Sequence, residues 1–301
     1  AAARIGKLSD VKLSANWMAA CGSPGEDAAL FDTVKTVGMD LCPALGIAIP
    51  VGKDSLSMKS VWQDGDTEKT MTSPLSLIIT AFAPVQDIRK TLTPELKDQD
   101  SVLILIDLGQ GRNRLGGSVL AQVYNQLGNQ APDLDDAGLF KRFFDTVQLL
   151  NDKGLLLAYH DRADGGLLAT VTEMLFASRK GIDLDLGEMG DDVLASLFNE
   201  ELGAVIQVKQ ADRDHVARML EQAGLDDVCH IVGLVVPGHR LRILHQDRPL
   251  YEAGRAELQQ TWSEVSYRMQ ALRDNPDCAR QQFERIADDN DPGLFARLSF
   301  D

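Results

Sequence analysis

The feature that most constrains the fold is the apolar run SVLILIDL at residues 101–108, which Gly109 follows. A continuous run of leucine and β-branched residues is typical of a strand that is buried on both faces. Such a strand requires packed layers on either side of it. Similar runs at 155–159, 204–208 and 230–236 alternate with helical patterns. The sequence therefore predicts an α/β fold built from layers of sheet and helix.

Helical spacing of apolar residues fills the gaps between these runs. Positions three or four apart over 140–150, 167–178 and 212–223 predict helices, and Gly224 ends the last of them. We expect this α/β unit to close near residue 246. A further helix is predicted beyond it by the spacing of Leu258, Trp262, Val265, Met269 and Leu272.

The first 90 residues carry shorter patterns. Apolar runs at 45–51 and 75–82 predict strands, and the spacing over 26–41 predicts a helix. Between the two strands, Asp64-Gly65 predicts a hairpin turn. The proline-rich and charged segment 84–100 predicts a domain boundary. The expected domains are residues 1–92, 93–246 and 247–301.

The last of these segments has a different character. Asn275-Pro276 ends its first helix, a charged helix follows, and residues 288–293 have the composition of a linker. The segment has too few apolar positions to fold alone, so we expect it to pack on the preceding domain or on a partner.

Composition excludes several classes of protein. Asp and Glu outnumber Lys and Arg by 45 to 30, and the net charge of −15 argues against nucleic acid or a membrane as a partner. No apolar run is long enough for a membrane-spanning helix. Four cysteines without metal or disulfide spacing indicate a reducing cytoplasm. The start AAARIGK has neither Met nor a signal pattern, which is typical of a cut inside a longer chain.

The sharpest chemical motif is HDRADGG at residues 160–166, where a predicted strand meets a predicted helix. Two glycines that open a helix let backbone N–H groups approach a phosphate, and a carboxylate there can hold Mg²⁺ against it. Asp161 is the candidate ligand. The alternative is structural: Asp164 caps the helix, Gly165-Gly166 forms the turn, and His160 packs in the interior.

A second motif, PVGKDSLSM at residues 50–58, follows a predicted strand but lacks the first glycine of a P-loop. The Lys53 ammonium group can bind a phosphate, and the Asp54 carboxylate can bind a second metal ion. The hydroxyl groups of Ser55 and Ser57 can donate hydrogen bonds. A solvated turn between two strands is the alternative.

Three further motifs could contribute to a ligand site, but their residues favour a structural role. They are SANWM at 14–18, LGGS at 115–118 and FNEELG at 198–203. Glycines before a helix can form an anion-binding nest, whereas paired carboxylates can serve packing as well as chemistry.

Taken in this order, the five motifs resemble the phosphoribosylformylglycinamidine synthase family in its long single-chain form. The resemblance runs over essentially all 301 residues. It implies the second half of the synthetase region: a partial A domain with a mixed sheet (1–92), an α/β B domain of the aminoimidazole ribonucleotide synthetase type (93–246), and a helical connector toward a glutaminase domain (247–301).

The resemblance also implies a reaction. ATP, formylglycinamide ribonucleotide and glutamine give formylglycinamidine ribonucleotide, ADP, phosphate and glutamate, with Mg²⁺ and ATP or ADP bound. Asp161 is similar to a metal ligand of the ADP site, and Ala163 lies where the backbone meets that nucleotide. Lys53 and Asp54 resemble nucleotide and metal contacts of the catalytic site, with Ser55 and Ser57 near the substrate.

The first-half histidine motif and the glutaminase cysteine of the family are absent from this sequence. We therefore expect the chain to be inactive alone and to be able to form a homodimer through its partial A domain. The alternative within the family is a nucleotide-holding half that acts as a non-catalytic scaffold.

Overall fold

The computed structural model describes residues 1–98, 100–291, 293, 297 and 299. Parts of two predictions therefore lie outside the described residues: Gln99 in the boundary segment, and most of the connector beyond residue 291. The chain forms two compact units. The first unit comprises residues 1–91, 134–154 and 219–225, and the second comprises the remainder. The predicted domain limits stay a prediction.

The strands are numbered in chain order. They are β1 (Lys12–Met18), β2 (Ala48–Ser55), β3 (Lys59–Asp64), β4 (Thr67–Thr72), β5 (Ser76–Phe82), β6 (Ser101–Asp107), β7 (Ala158–Asp161), β8 (Gly181–Asp185), β9 (Gly203–Lys209), β10 (Cys229–Val236), β11 (Arg240–His245) and β12 (Arg248–Gly254).

The helices are numbered in the same way. They are α1 (Glu26–Lys35), α2 (Cys42–Leu45), α3 (Val119–Val123), α4 (Ala137–Asp152), α5 (Gly166–Ser178), α6 (Val193–Phe198), α7 (Arg213–Gln222), α8 (Arg255–Arg273) and α9 (Pro276–Glu284). No described helix is both long and apolar enough to cross a membrane.

The first unit contains a three-stranded sheet in the order β2-β1-β5. Strand β1 pairs parallel with β2 and antiparallel with β5, so this small sheet is mixed. The close approach of β1 and β2 explains why a glycine occupies position 52, because a Cβ atom there would lie 2.4 Å from the Ala15 carbonyl oxygen. A residue with a side chain cannot occupy this position without moving the strands apart.

The structure confirms some of the elements that the sequence predicts for this unit. The hairpin forms between β3 and β4, with Asp64 paired to Thr67 across a two-residue turn. The predicted helix at 26–41 divides into α1 and a π-helical segment, Thr36–Leu41. The strand predicted at 45–51 is wrong at both ends, because Leu45 closes α2 and β2 continues to Ser55.

The second unit is built on a seven-stranded sheet in the order β12-β11-β8-β10-β6-β9-β7. Every residue of β6 is buried, as the sequence predicts. All neighbouring pairs are antiparallel except β8 and β11, which are parallel. Helix α5 contributes Leu167, Val171 and Met174 to the core of this sheet. The α/β fold class is confirmed.

The sequence does not predict three strands of this sheet, and it predicts a fourth strand at shifted residues. Strands β8, β11 and β12 carry many charged residues, which obscure their apolar alternation. The strand predicted at 155–159 begins at Ala158 and runs on to Asp161. His160 and Asp161 therefore belong to a strand end rather than to a loop.

The C-terminal helices form as the spacing predicts. The Asn275 side chain caps α9 by accepting the backbone N–H groups of Asp277 and Cys278, at 3.0 and 3.1 Å. The rings of Tyr267 and Phe283 stack with centroids 4.5 Å apart, which fixes α9 against α8. Leu258 of α8 packs against the core of the second unit. The expectation that this segment packs on the preceding domain is confirmed for α8.

Candidate functional site

The end of β7 presents Asp161 to solvent. Alternation along the strand places Tyr159 and Asp161 on the same face, and the buried Tyr159 hydroxyl donates a hydrogen bond to Asp161 Oδ1. Burial, followed by the charge of Asp161, raises the pKa of Tyr159 above its usual range. The phenol therefore stays protonated and acts as a donor that orients the carboxylate. Ala163, two residues further on, is also exposed.

The two glycines after Asp161 open α5 in left-handed conformations, with φ of 82° at Gly165 and 67° at Gly166. Gly165, not Asp164, occupies the N-cap position, so the predicted Asp164 cap is wrong. The Gly165 N–H donates to Glu200 Oε1 at 2.9 Å, and the Val119 N–H donates to the same oxygen at 2.8 Å. The Glu200 carboxylate thus takes one of the backbone donors that the sequence assigns to a phosphate, and the Gly166 N–H donates to the Ala163 carbonyl at 2.9 Å.

Gly166 has a separate steric role. A Cβ atom at this position would lie 2.6 Å from the carbonyl oxygens of Leu197 and Asn199. The start of α5 therefore lies directly against the backbone that follows α6, which is possible only without a side chain.

Two buried ion pairs hold the segments around this corner. Arg162 donates through Nη2 to Asp107 and through Nε to the Glu201 carbonyl at 2.7 Å, and its Nη1 atom is buried without a hydrogen-bond partner. Arg114 binds the fully buried Glu201 carboxylate in a bidentate manner, at 2.7 and 2.8 Å. The second carboxylate of the 198–203 motif is therefore structural.

The glycines of the 115–118 motif are likewise engaged by the backbone. Gly116 and Gly117 donate their N–H groups to the carbonyls of Gln130 and Leu127, both at 2.7 Å. The Ser118 hydroxyl accepts from Ala121 N as the N-cap of α3. Donors committed in this way do not form an anion-binding nest.

The second motif lies in the first unit, on β2. Lys53 and Ser55 share one face of the strand, where Lys53 Nζ donates to Ser55 Oγ at 2.9 Å. Asn16 of β1 is in register with Lys53, and its side-chain oxygen is buried without a hydrogen-bond partner. The structure thus brings Asn16, Lys53 and Ser55 to one face, including an acceptor that lacks a donor. Ser57 lies beyond the strand, on an isolated bridge to Ala20.

Asp54 points away from this group, because successive residues of a strand alternate between its two faces. Its negative charge, together with Glu26 and Asp27, contributes to a raised pKa at the Cys21 thiol, although partial burial of the thiol is the largest cause. The side chains of Lys53 and Asp54 therefore lie on opposite faces of β2. Although the two residues are adjacent in sequence, they do not approach a ligand from the same face of the strand.

Within the part of the chain that the structure describes, protein side chains alone do not preform a metal site. Among the described residues, no three Asp, Glu, His or Cys side chains are grouped so as to hold a metal ion. Asp161 nevertheless fits the usual mode of Mg²⁺, which takes one or two carboxylates with phosphate oxygens and water completing its shell. Asp161 and Asp54 remain predicted metal contacts. Lys53, Ala163, Ser55 and Ser57 remain predicted nucleotide or substrate contacts.

Sequence reasoning missed the residues that build this corner: Asp107, Arg114, Tyr159 and the acceptor role of Glu200. Only the contact of Tyr159 with Asp161 could have been predicted from the sequence, since residues two apart on a strand share a face. The others meet across segments that lie more than 30 residues apart, and no local spacing reports such contacts.

Comparison with protein-family models gives two matches. Residues 1–84 match the FGAR-AT PurM_N-like domain, and residues 99–246 match the C-terminal domain of AIR synthase related proteins. The two together cover more than three quarters of the chain. The chain thus has the domain pair of the PurM-like, AIR synthase-related class. These matches support a fragment related to phosphoribosylformylglycinamidine synthase, the FGAR amidotransferase, which is the family that the five sequence motifs resemble.

Solved structures share the fold at low identity. PurL of Thermotoga maritima complexed with ATP is 11% identical, with a TM-score of 0.60 over 85% of this chain and 38% of that one. The same protein complexed with FGAR is 12% identical, with a TM-score of 0.57 over 85% and 40%. The hydrogenase maturation protein HypE of E. coli is 20% identical, with a TM-score of 0.55 over 83% and 78%. The chain spans about two fifths of the length of the PurL chains that it matches.

Proposed function

We propose that this chain is the second half of the synthetase region of an ATP-dependent amidotransferase in purine biosynthesis. The reaction converts formylglycinamide ribonucleotide, glutamine, ATP and water to formylglycinamidine ribonucleotide, glutamate, ADP and phosphate. The observation that carries the proposal is the order of an FGAR-AT PurM_N-like domain and an AIR synthase C-terminal domain in one chain. The PurL relatives bound to ATP, ADP and FGAR support it.

The chemistry that we propose has two steps. The amide oxygen of the substrate attacks the γ-phosphorus of ATP, so that an O–P bond forms while the bond to ADP breaks. Ammonia from glutamine then attacks the activated carbon, and phosphate leaves as the C–N bond forms. Both steps depend mainly on positioning and on neutralisation of phosphate charge.

The residues of this chain serve both of these needs. In the first unit, Lys53 supplies a positive charge beside Ser55 and the unpaired oxygen of Asn16. In the second unit, Asp161 supplies an exposed carboxylate whose orientation the Tyr159 hydroxyl holds, next to the exposed backbone at Ala163. Mg²⁺, when bound with a nucleotide, would neutralise phosphate charge beside Asp161.

One observation favours the alternative in which this half holds nucleotide as a scaffold. Glu200 satisfies the Gly165 N–H, and this leaves the start of α5 with a negative charge where a catalytic phosphate site needs positive charge. A site that only holds a nucleotide does not have to stabilise charge that develops in a transition state, so the negative charge costs it less.

The test is a titration of the 301-residue chain with ADP in the presence of Mg²⁺, followed by calorimetry. Asp161→Asn is expected to weaken binding at least tenfold, whereas Asp164→Asn, the same change at an exposed neighbour, is expected to leave it within twofold. Equal losses in both variants, or no binding by the unmodified chain, would contradict the nucleotide site.

A parallel assay with ATP, formylglycinamide ribonucleotide and ammonia tests the predicted inactivity of the chain alone. We expect no product from this chain alone. Product formation would overturn both the predicted inactivity and the scaffold alternative.

A further inference from the structure

The chain that follows α9 turns back to the start of α8 and is held there by one carboxylate. It passes through a 3₁₀ helix, Arg285–Ala287, and places Asp289 beside the first residue of α8. Arg255 Nη2 donates to Asp289 Oδ1 at 2.6 Å, and His239 Nδ1 lies 2.9 Å from Asp289 Oδ2. Side chains from two different elements therefore engage both oxygens of this carboxylate.

Three elements of the second unit build the receptor for Asp289. Arg255 begins α8, His239 lies in the loop between β10 and β11, and Arg179 is the C-cap of α5. Arg179 Nη1 donates to the main-chain carbonyl of Asp289 at 2.8 Å. The Arg255 N–H donates to the His239 carbonyl at 2.8 Å, so the backbone holds these two residues together. The receptor, defined as Arg179, His239 and Arg255, thus binds the main chain as well as the side chain of Asp289.

The burial of Arg255 depends on this arrangement. Arg255 is 2% exposed, and an arginine is seldom so deeply buried without a counter-charge. Its other side-chain acceptors are the neutral Gln259 Oε1 and the Ile286 carbonyl, both at 2.7 Å. Asp289 supplies the negative charge, and the loss of such a partner leaves the guanidinium uncompensated. The Asp289 side chain itself is 46% exposed, so water can replace Arg255 around it when the two separate.

The same contacts tie the open end of the hairpin that α8 and α9 form. The stacked rings of Tyr267 and Phe283 hold its middle. At its base, Ile286 and Asp289 are bound by Arg255. Because the two sets of contacts are separate, the base can open while the stacked rings stay together.

We propose that Asp289 is a latch that fastens the segment after α9 to the receptor of Arg179, His239 and Arg255. In the closed state, residues 285–291 lie on the second unit, and the latch sets the direction of the chain beyond residue 289. In the open state, these residues leave the surface while the seven-stranded sheet stays folded. This inference is independent of the function proposed above, because none of these residues belongs to the nucleotide or metal contacts.

Limited digestion of the 301-residue chain with trypsin measures the opening of the latch. Cleavage after Arg285 requires this bond to leave the 3₁₀ helix and enter the protease in an extended form. Asp289→Asn keeps the shape of the side chain but replaces one acceptor oxygen by an NH₂ group, which cannot accept from the receptor. We expect this change to accelerate cleavage after Arg285 about tenfold.

The neighbouring carboxylate provides a matched control. Asp288 Oδ1 accepts the Asn290 N–H at 2.9 Å and has no contact with the receptor among the described bonds. An asparagine keeps this acceptor, so Asp288→Asn removes the same charge without touching the latch. We expect it to leave the cleavage rate within about twofold of the unmodified chain.

Urea separates the opening of the latch from unfolding of the whole chain. Release of a short segment exposes little surface, so cleavage after Arg285 is expected to change little with urea below the unfolding transition. Cleavage that required global unfolding would instead accelerate with the full urea dependence of stability. His239→Ala is expected to accelerate cleavage as well, and its effect and that of Asp289→Asn are expected to be less than additive, because the two residues share one contact.

A second measurement tests the receptor directly. Asp289→Ala removes the carboxylate and leaves its site open to a free one. Sodium formate, compared with sodium chloride at equal ionic strength, is expected to raise the melting temperature of Asp289→Ala more than that of the unmodified chain, because a ligand that binds the folded state stabilises it.

Three results would overturn the proposal. The first is a cleavage rate after Arg285 that Asp289→Asn leaves unchanged or that Asp288→Asn raises equally. The second is cleavage with the full urea dependence of unfolding, since Asp289 would then stabilise the whole chain and not a separate segment. The third is an equal response of both chains to formate, which would mean that the receptor does not select a carboxylate.

Discussion

The Glu200 carboxylate lies 2.9 Å from the backbone nitrogen of Gly165, and through the same oxygen it accepts the N–H of Val119. One side chain thereby satisfies the first backbone donor groups of two helices. We expect Glu200→Ala to lower the free energy of unfolding by about 1–3 kcal/mol, because both donors lose their partner, and Glu200→Gln to lower it less. Urea denaturation measures both. Glu188→Ala, at an exposed position, is the control, and an equal effect there would contradict the assigned role.

The buried pair of Arg162 and Asp107 gives a second prediction. Asp107→Asn leaves the Arg162 charge without its counterion in the interior, so we expect a loss of about 3–5 kcal/mol in the free energy of unfolding. A double change to Asp107→Asn with Arg162→Met is expected to cost less than the sum of the two single changes. Glu284→Gln, which breaks the exposed pair with Arg280, is expected to cost less than about 1 kcal/mol. Additive effects at Asp107 and Arg162 would show that the pair is not coupled.

Replacement by alanine is expected to change the free energy of unfolding in opposite directions at two glycines of the first unit. Gly52→Ala introduces a Cβ atom 2.4 Å from the Ala15 carbonyl oxygen, so we expect a loss of about 1–3 kcal/mol. Gly38→Ala meets no atom within 4 Å and is expected to stabilise by about 0.4–1 kcal/mol through the unfolded chain. Thermal unfolding compares the two variants with the unmodified chain. A stabilising Gly52→Ala would mean that β1 and β2 do not pair in this register.

The C-terminal segment gives a pH-dependent prediction. Hydrogen bonds from Arg255 and then from His239 lower the pKa of Asp289 below its ordinary value of 3.8. A carboxylate whose pKa is lowered by folding contributes stability above its unfolded pKa, and this contribution is lost as the pH falls through the folded value. We therefore expect the difference in melting temperature between the chain and Asp289→Asn to be larger at pH 5 than at pH 3 and to shrink as the pH falls below about 4. Asp191→Asn, at an exposed position, should show no such dependence.

Thiol reactivity gives a fifth prediction. All four cysteines are free, and burial, with a smaller effect from Asp226, raises the pKa of Cys229 to about 12. Because the thiolate is the reactive form, Cys229 is expected to react with a disulfide reagent at pH 8 far more slowly than the exposed Cys278. Single replacement of each by serine assigns the kinetic phases. A fast phase that disappears in Cys229→Ser would contradict the burial of this residue.

The sequence predicts the buried elements of this fold well. Strands β5, β6, β9 and β10 and helix α5 are visible as apolar runs or as helical spacing, because burial demands such patterns. Strand β12 is not visible in this way, since most of its residues are exposed and it contains Pro249.

The sequence predicts where the candidate site lies but not how its groups are paired. The end of β7 and the two glycines after Asp161 follow from local sequence, but the antiparallel pairing of β7 with β9 does not. Because this pairing is antiparallel, the C-terminal end of β7 lies beside the N-terminal end of β9 and not beside another C-terminal strand end. The occupation of the Gly165 N–H by Glu200 depends on a contact 35 residues away, and such contacts have no local signature.

The place of β6 in the sheet has a consequence for how the protein is made. Its two neighbours, β9 and β10, are translated about a hundred residues later, so a ribosome exposes this strand, which is wholly buried in the folded protein, well before either can pair with it. Chaperone capture of nascent chains is therefore expected to peak between the emergence of β6 and that of β10, and a slow synonymous codon in that interval would lengthen the exposure.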